Sequence, residues 1–118
     1  MPSYSDYMAR TRRGTAAACL LEVGQLVERY YTKKLSYTGF EIPTTPKMEC
    51  QKALEDHYDF SFDIDDDVKY KVIADAKDNQ VAQDKGRCDK LVLQGNGLKA
   101  IEGGTISAAS CWAGKASS

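Results

Sequence analysis

The chain has one histidine, His57, and none of its four cysteines falls in a Cys-x-x-Cys pair. Zinc sites draw paired ligands from short spacings, so a structural zinc is not expected, and nothing in the pattern asks for another metal or cofactor. No apolar run approaches the ~18 residues of a membrane span, and no signal-peptide pattern stands ahead of the first periodic segment. Neither sign of charge dominates. Sixteen Lys and Arg face seventeen Asp and Glu, a formal net charge of -1, so there is no bulk electrostatic drive toward nucleic acid or an anionic membrane. Proline is scarce, at three residues, and none lies between Pro2 and Pro43. The first third of the chain is therefore free to be helical.

That stretch reads as one long amphipathic helix, about 3–35. Ala16, Leu20, Val23, Val27 and Tyr30 recur at 4-3-4-3 spacing on one face, with Glu22, Gln25, Glu28 and Arg29 largely outside it. Such a helix is roughly 45–50 Å long, against about 35 Å for a globule of this size. Its Tyr4–Gly14 end is expected to project beyond the head. Tyr4, Tyr7, Arg10, Arg12 and Arg13 are then candidates for assembly contacts, with a solvated helix face as the ordinary alternative for the arginines.

At 118 residues one domain is expected, spanning 1–114, with 115–118 as a flexible tail. Cys19, Cys50, Cys88 and Cys111 are even in number and widely spaced, which fits two disulfides and an oxidising compartment. Four cysteines allow three pairings. Cys19–Cys50 with Cys88–Cys111 ties sequential segments and is preferred, each bridge being worth roughly 3–4 kcal/mol in the chain-entropy model.

After the helix, a connector of about 36–57 carries Gly39, Pro43 and Pro46, with a helical turn expected over Met48–Leu54 around Cys50. The period then changes to two. Tyr58, Phe60, Phe62 and Ile64 mark one strand, and Val68, Tyr70, Val72 and Ala74 a second, joined by Asp65-Asp66-Asp67 as a hairpin. Leu91 and Leu93 mark a third strand and Leu98–Ile101 a fourth. Asn96-Gly97 between them predicts a type I′ turn. Gly103 to Trp112 reads as loop. The fold class is α+β, a long helix whose stripe covers one face of a four-stranded antiparallel sheet.

Several motifs lose their chemical reading on inspection. Gly95-x-Gly97-x-x-Ala100 matches a dinucleotide fingerprint formally, but Gly103-Gly104 follows where a phosphate-binding helix should begin. Asp63, Asp65, Asp66 and Asp67 suggest a calcium loop, yet the sixth and twelfth positions from Asp63 are Val68 and Ala74 rather than Gly and Glu. His57 beside Asp56 has no nucleophile motif to serve. No catalytic residue is nominated, and an enzyme acting on a small-molecule substrate is not expected.

Pro2–Tyr7, Arg12-Arg13, the run Ala16–Glu22, Glu28–Thr32 and Ser36-Tyr37 resemble, in order, the helix of type IV pilins, specifically PilE-type minor pilins. Tyr70, Ala74, Gln80, Asp84 and Cys88, then Leu91, Leu93, Gly97, Lys99 and Cys111-Trp112, resemble the sheet and C-terminal part of that family. The resemblance covers nearly the whole chain. It implies a pilin fold with an αβ-loop and a disulfide-closed D-region, 88–111. The prepilin cleavage site and membrane helix of the family are not in this sequence, so the chain reads as a soluble periplasmic part. The spacing from Gln80 to Cys88 is slightly longer than the family pattern, and the 39–57 connector is long and rich in Lys and Glu. Pseudopilins of type II secretion share the front helix but not the sheet-end motifs.

The resemblance implies a structural subunit that takes part in initiating pilus assembly and sits in or at the tip of the fibre, in motility, adhesion or DNA uptake. Its expected partners are other major and minor pilins and, through the family's N-terminal helix, the inner membrane. The expected location is that membrane's periplasmic face, then the extracellular pilus of a Gram-negative bacterium. The alternative, from a different class, is nucleic-acid binding, as in competence pilins that capture DNA. Lys69, Lys71, Lys85, Arg87, Lys90 and Lys99 are candidates for a basic stripe, although only Tyr70 and Trp112 are nearby to stack bases. A small disulfide-rich binding module unrelated to pili is the remaining reading.

Overall fold

The computed structural model describes residues 4–43 and 48–113. Pro2, Pro46 and the 115–118 tail therefore lie outside the described residues. Helix α1 runs over Tyr4–Lys34, followed by a short helix α2 at Glu49–Leu54 where a turn is predicted. Strands β1 (Tyr58–Asp65) and β2 (Lys69–Ala76) form the first hairpin. After helix α3 (Asp78–Gln83) come β3 (Cys88–Gln94), β4 (Lys99–Gly104) and helix α4 (Ala108–Trp112). The sheet is antiparallel in the order β1-β2-β3-β4, so each strand pairs with its sequence neighbour.

The stripe of α1 is core. Ala16, Leu20, Val23 and Val27 are fully buried and pack with Tyr70, Val72, Ala74, Leu91 and Leu93 from the sheet's inner face. Gly24 lets the sheet come close, since a Cβ there would meet Leu93 Cδ2 at 2.8 Å. Tyr30 is only half-buried, and its hydroxyl donates to the Thr38 carbonyl at 2.7 Å. Both preferred disulfides are present. Cys19–Cys50 fastens α2 to α1, and Cys88–Cys111 fastens α4 to β3.

Three local expectations are corrected. Asn96 does not take positive φ; among the described non-glycine residues only Leu35, Lys69 and Lys85 do. Instead, Gln94 N–H donates to the Leu98 carbonyl and Gly97 N–H to the Gln94 carbonyl, with Gly97 at φ 92°. This is a three-residue loop with one left-handed glycine rather than a two-residue type I′ turn. The 103–112 stretch, read as loop, extends β4 through Gly104 and then forms α4, whose Ser107 hydroxyl caps the helix by accepting from the Ser110 N–H. Helix α3, absent from the sequence reading, lies in the connection from β2 to β3.

Candidate functional site

The lower half of α1 departs furthest from expectation. Counting back from Val27 through Val23, Leu20 and Ala16, the same 4-3 alternation reaches Arg13, Ala9 and Asp6, and all three are buried. The head does not stop short of this segment; α3 and the turn into β3 extend along it. Arg13, with no exposed surface, places Nε 2.8 Å from Asp84 Oδ2 and Nη2 3.1 Å from Asp84 Oδ1, and its Nη1 donates to the Cys111 carbonyl at 3.4 Å. Arg87 bridges Asp84 at 2.9 Å and Asp6 at 2.6 Å. Gln80 Nε2 donates to the Ala9 carbonyl at 2.9 Å. Four alternating charges thus form a buried chain, Arg13–Asp84–Arg87–Asp6, between the helix and the head. The Arg87 hydrogen bond holds the Asp6 carboxyl below its ordinary pKa against a smaller opposing effect of burial, and the charge of Arg10 adds to the lowering. Burial raises the nearby Tyr58 phenol, assisted by the Asp84 charge.

The expectation that Arg12 and Arg13 lie on a projecting segment is therefore corrected. Arg13 is a core residue, Arg12 hydrogen-bonds Gln83 on α3, and Arg10 pairs with Asp6 at 3.3 Å. Tyr4 and Tyr7 are exposed, at 78% and 57%. They open a second stripe that runs through Thr11, Gly14, Ala18, Leu21 and Gln25 at 3-4 spacing, exposed throughout. Gly14 has no head atom within contact of a built Cβ. Asp6, Asp84 and Arg87 were not recognised as a joint from sequence; the available signal was the register of Asp6 and Arg13 in the core stripe.

The six basic candidates do not converge. Lys71 lies between Asp65 (3.5 Å) and Glu102 (4.0 Å), Lys90 is registered opposite Asp75 and Glu102, and Lys69 opposite Asp65. Asp59 and Asp63 share the outer sheet face, so carboxylates outnumber ammonium groups there. Arg87 is committed to the buried chain, Tyr70 is in the core, and Lys85 is exposed on the turn after α3. Lys99 and Trp112 do meet. The Lys99 Nζ stands 5.7 Å from the centre of the Trp112 ring, whose Nε1 donates to the Ala100 carbonyl at 2.9 Å. Gly97, half-exposed Leu98, Ala109 and Ala113 complete an open groove beside them.

His57 lies half-buried at the start of β1, its N–H donating to the Leu54 carbonyl and its carbonyl accepting from the Lys77 N–H. The Asp65–Asp67 tip is a hairpin turn in which the Asp67 N–H donates to Asp65 Oδ1 at 2.9 Å. That bond, with help from the Lys71 charge, lowers the Asp65 pKa.

Searches of curated proteins and of solved structures return no match. The family model described as type IV minor pilin ComP, DNA uptake sequence receptor, matches residues 2–92, from the foot of α1 into β3. With that match over most of its length, on a long helix, a four-stranded antiparallel sheet and a disulfide-closed C-terminal region, the chain belongs to this family of type IV minor pilins.

Proposed function

We propose that this minor pilin acts by binding and assembly rather than by catalysis, as the subunit through which a type IV pilus takes hold of DNA. The observation that carries the DNA reading is the Lys99–Trp112 pair. A ring held by its own N–H bond, with an ammonium group at its face and an open groove beside it, offers a base a stacking surface and a phosphate a counter-charge. The description of the family model, a DNA uptake sequence receptor, supports the same assignment.

The exposed stripe of α1 supports the assembly half. Small residues at Gly14 and Ala18, between Tyr7 and Leu21, admit another helix closely on the side away from the head. In this reading other pilins pack there, an N-terminal helix anchors the subunit in the inner membrane before assembly, and the subunit then sits in or at the tip of the extracellular fibre. Roles in motility and adhesion belong to that fibre as a whole.

One set of variants tests both halves. Lys99→Ala and Trp112→Ala are expected to weaken binding to single-stranded DNA at low salt, the lysine change also flattening the salt dependence. In cells making the full-length protein, Gly14→Leu is expected to deplete the subunit from sheared pili without lowering the melting temperature of the isolated head, since leucine favours the helix over glycine at this open position. Unaltered DNA affinity in both groove variants would defeat the DNA reading, and normal incorporation of Gly14→Leu the packing one.

A further inference from the structure

At the end of the head where α1 stops, a shallow pocket of about 340 Å³ lies between the loop after the helix and the β1–β2 hairpin tip. Its floor is aromatic. Tyr31 and Tyr37 stack at 4.6 Å between centroids, 27° apart, and Tyr31 is 39% exposed despite that contact. Ile64, half-exposed, forms one wall. Its rim is polar, with Asp65 and Asp66 from the hairpin, Ser36 and Thr38 from the loop, and Lys69.

The pocket is held in shape before any ligand arrives. Tyr30 Oη donates to the Thr38 carbonyl at 2.7 Å, the Thr38 N–H donates to Ser36 Oγ at 3.1 Å, and Tyr37 Oη donates to Glu28 Oε1 at 3.4 Å. On the other side, the Asp67 N–H to Asp65 bond fixes the hairpin tip. Preorganisation of this kind lowers the ordering cost of binding.

The chemistry of the lining narrows the occupant. A polyanion meets Asp63, Asp65, Asp66 and Asp67 within five residues, so phosphate-bearing ligands are repelled. A compact cation is drawn by Asp65 and Asp66 but repelled by the Lys69 ammonium group on the same rim, so its net gain is small. A neutral polyol faces neither penalty. It places an apolar C–H face on the outer side of the Tyr31 ring and gives hydroxyl donors to carboxylates, which accept only, and hydroxyl acceptors to Lys69, which donates only.

We propose that this pocket binds a neutral saccharide ring, with the outer face of Tyr31, backed by Tyr37, as the stacking floor and Asp66 accepting from its hydroxyls. The proposal goes beyond the DNA reading and shares no residue with the Lys99–Trp112 groove. A single small ring on so open a site corresponds to a Kd of about 1 mM or weaker.

The test is an amide-shift titration of the full 118-residue chain with methyl β-galactoside, methyl β-glucoside and N-acetylglucosamine, with glycerol as control. At least one sugar is expected to give saturable shifts confined to Tyr31, residues 36–38 and 64–66, which glycerol does not reproduce. Tyr31→Ala and Asp66→Asn, both at surface positions, are each expected to weaken binding about tenfold or more while leaving DNA binding intact. The proposal is overturned if none of the three sugars gives saturable shifts, or if Tyr31→Ala leaves them unchanged. It is equally overturned if tetramethylammonium or an oligonucleotide perturbs the same amides more strongly than any sugar. Because the DNA readout uses other residues, failure here leaves the DNA reading standing, and the reverse also holds.

Discussion

Asp84 is where the largest single-residue consequences converge. Its side chain is 1% exposed and meets two guanidinium groups, Arg13 at 2.8 Å and Arg87 at 2.9 Å. Truncating one partner of a buried ion pair leaves charge without full compensation, at about 3–5 kcal/mol. Arg13→Ala is expected to fall near the lower end of that range, because Arg87 still neutralises Asp84. Arg12→Ala, on the partly exposed neighbour, should stay within about 1 kcal/mol. Urea unfolding of the two variants checks the contrast; equal midpoints would mean that the buried chain contributes nothing to stability. The difference between these adjacent arginines was half-legible in the sequence. Position 13 continues the spacing that identifies Leu20 and Val23 as core, but a charged side chain at a core position reads as solvated until its partner is known. That partner lies 71 residues away.

At the scale of elements, α1 is attached to the head in two different ways. Its upper half, from Ala16 to Val27, is held by apolar packing and the Cys19–Cys50 bridge; its lower half rests mainly on Asp6, Arg13 and the Gln80 bond to Ala9. The two attachments respond differently to pH. The folded-state pKa of Asp6 lies below its ordinary 3.8, so its contribution is fully present above that unfolded value and is lost as pH falls through the lower folded value. Acidification below about pH 4 is therefore expected to loosen residues 6–13 before 16–27, seen as rising backbone mobility in NMR relaxation. Uniform loss along the helix would contradict a divided attachment. Long periodic elements were plain in the sequence. The short ones were not: α3 and α4, at six and five residues, are too brief for a 3.6-residue period to register. Asn96-Gly97 misled because a two-residue turn requires positive φ at Asn96, whereas placing Gly95 in the loop leaves only Gly97 left-handed.

For the whole molecule, fold and family were legible because the motifs are spread along the chain in order, from Tyr7 to Cys111-Trp112. The candidate binding surface was not. Lysines count equally in a sequence, but the register sets Lys71 and Lys90 among carboxylates and leaves Lys99 beside an aromatic ring. The two disulfides carry one more consequence, a mechanical one. A subunit that holds cargo at its C-terminal end and its fibre at the foot of α1 is loaded in tension between Tyr4 and Trp112. The covalent rings 19–50 and 88–111 do not overlap, so chain inside them is shielded from the pull. Only segments 4–19, 50–88 and 111–112 can pay out, about half the contour of the reduced chain at ~3.4 Å per residue. Optical-tweezer extension between those ends should lengthen about twofold on reduction. An equal extension with and without reductant would show that the bridges bear no load.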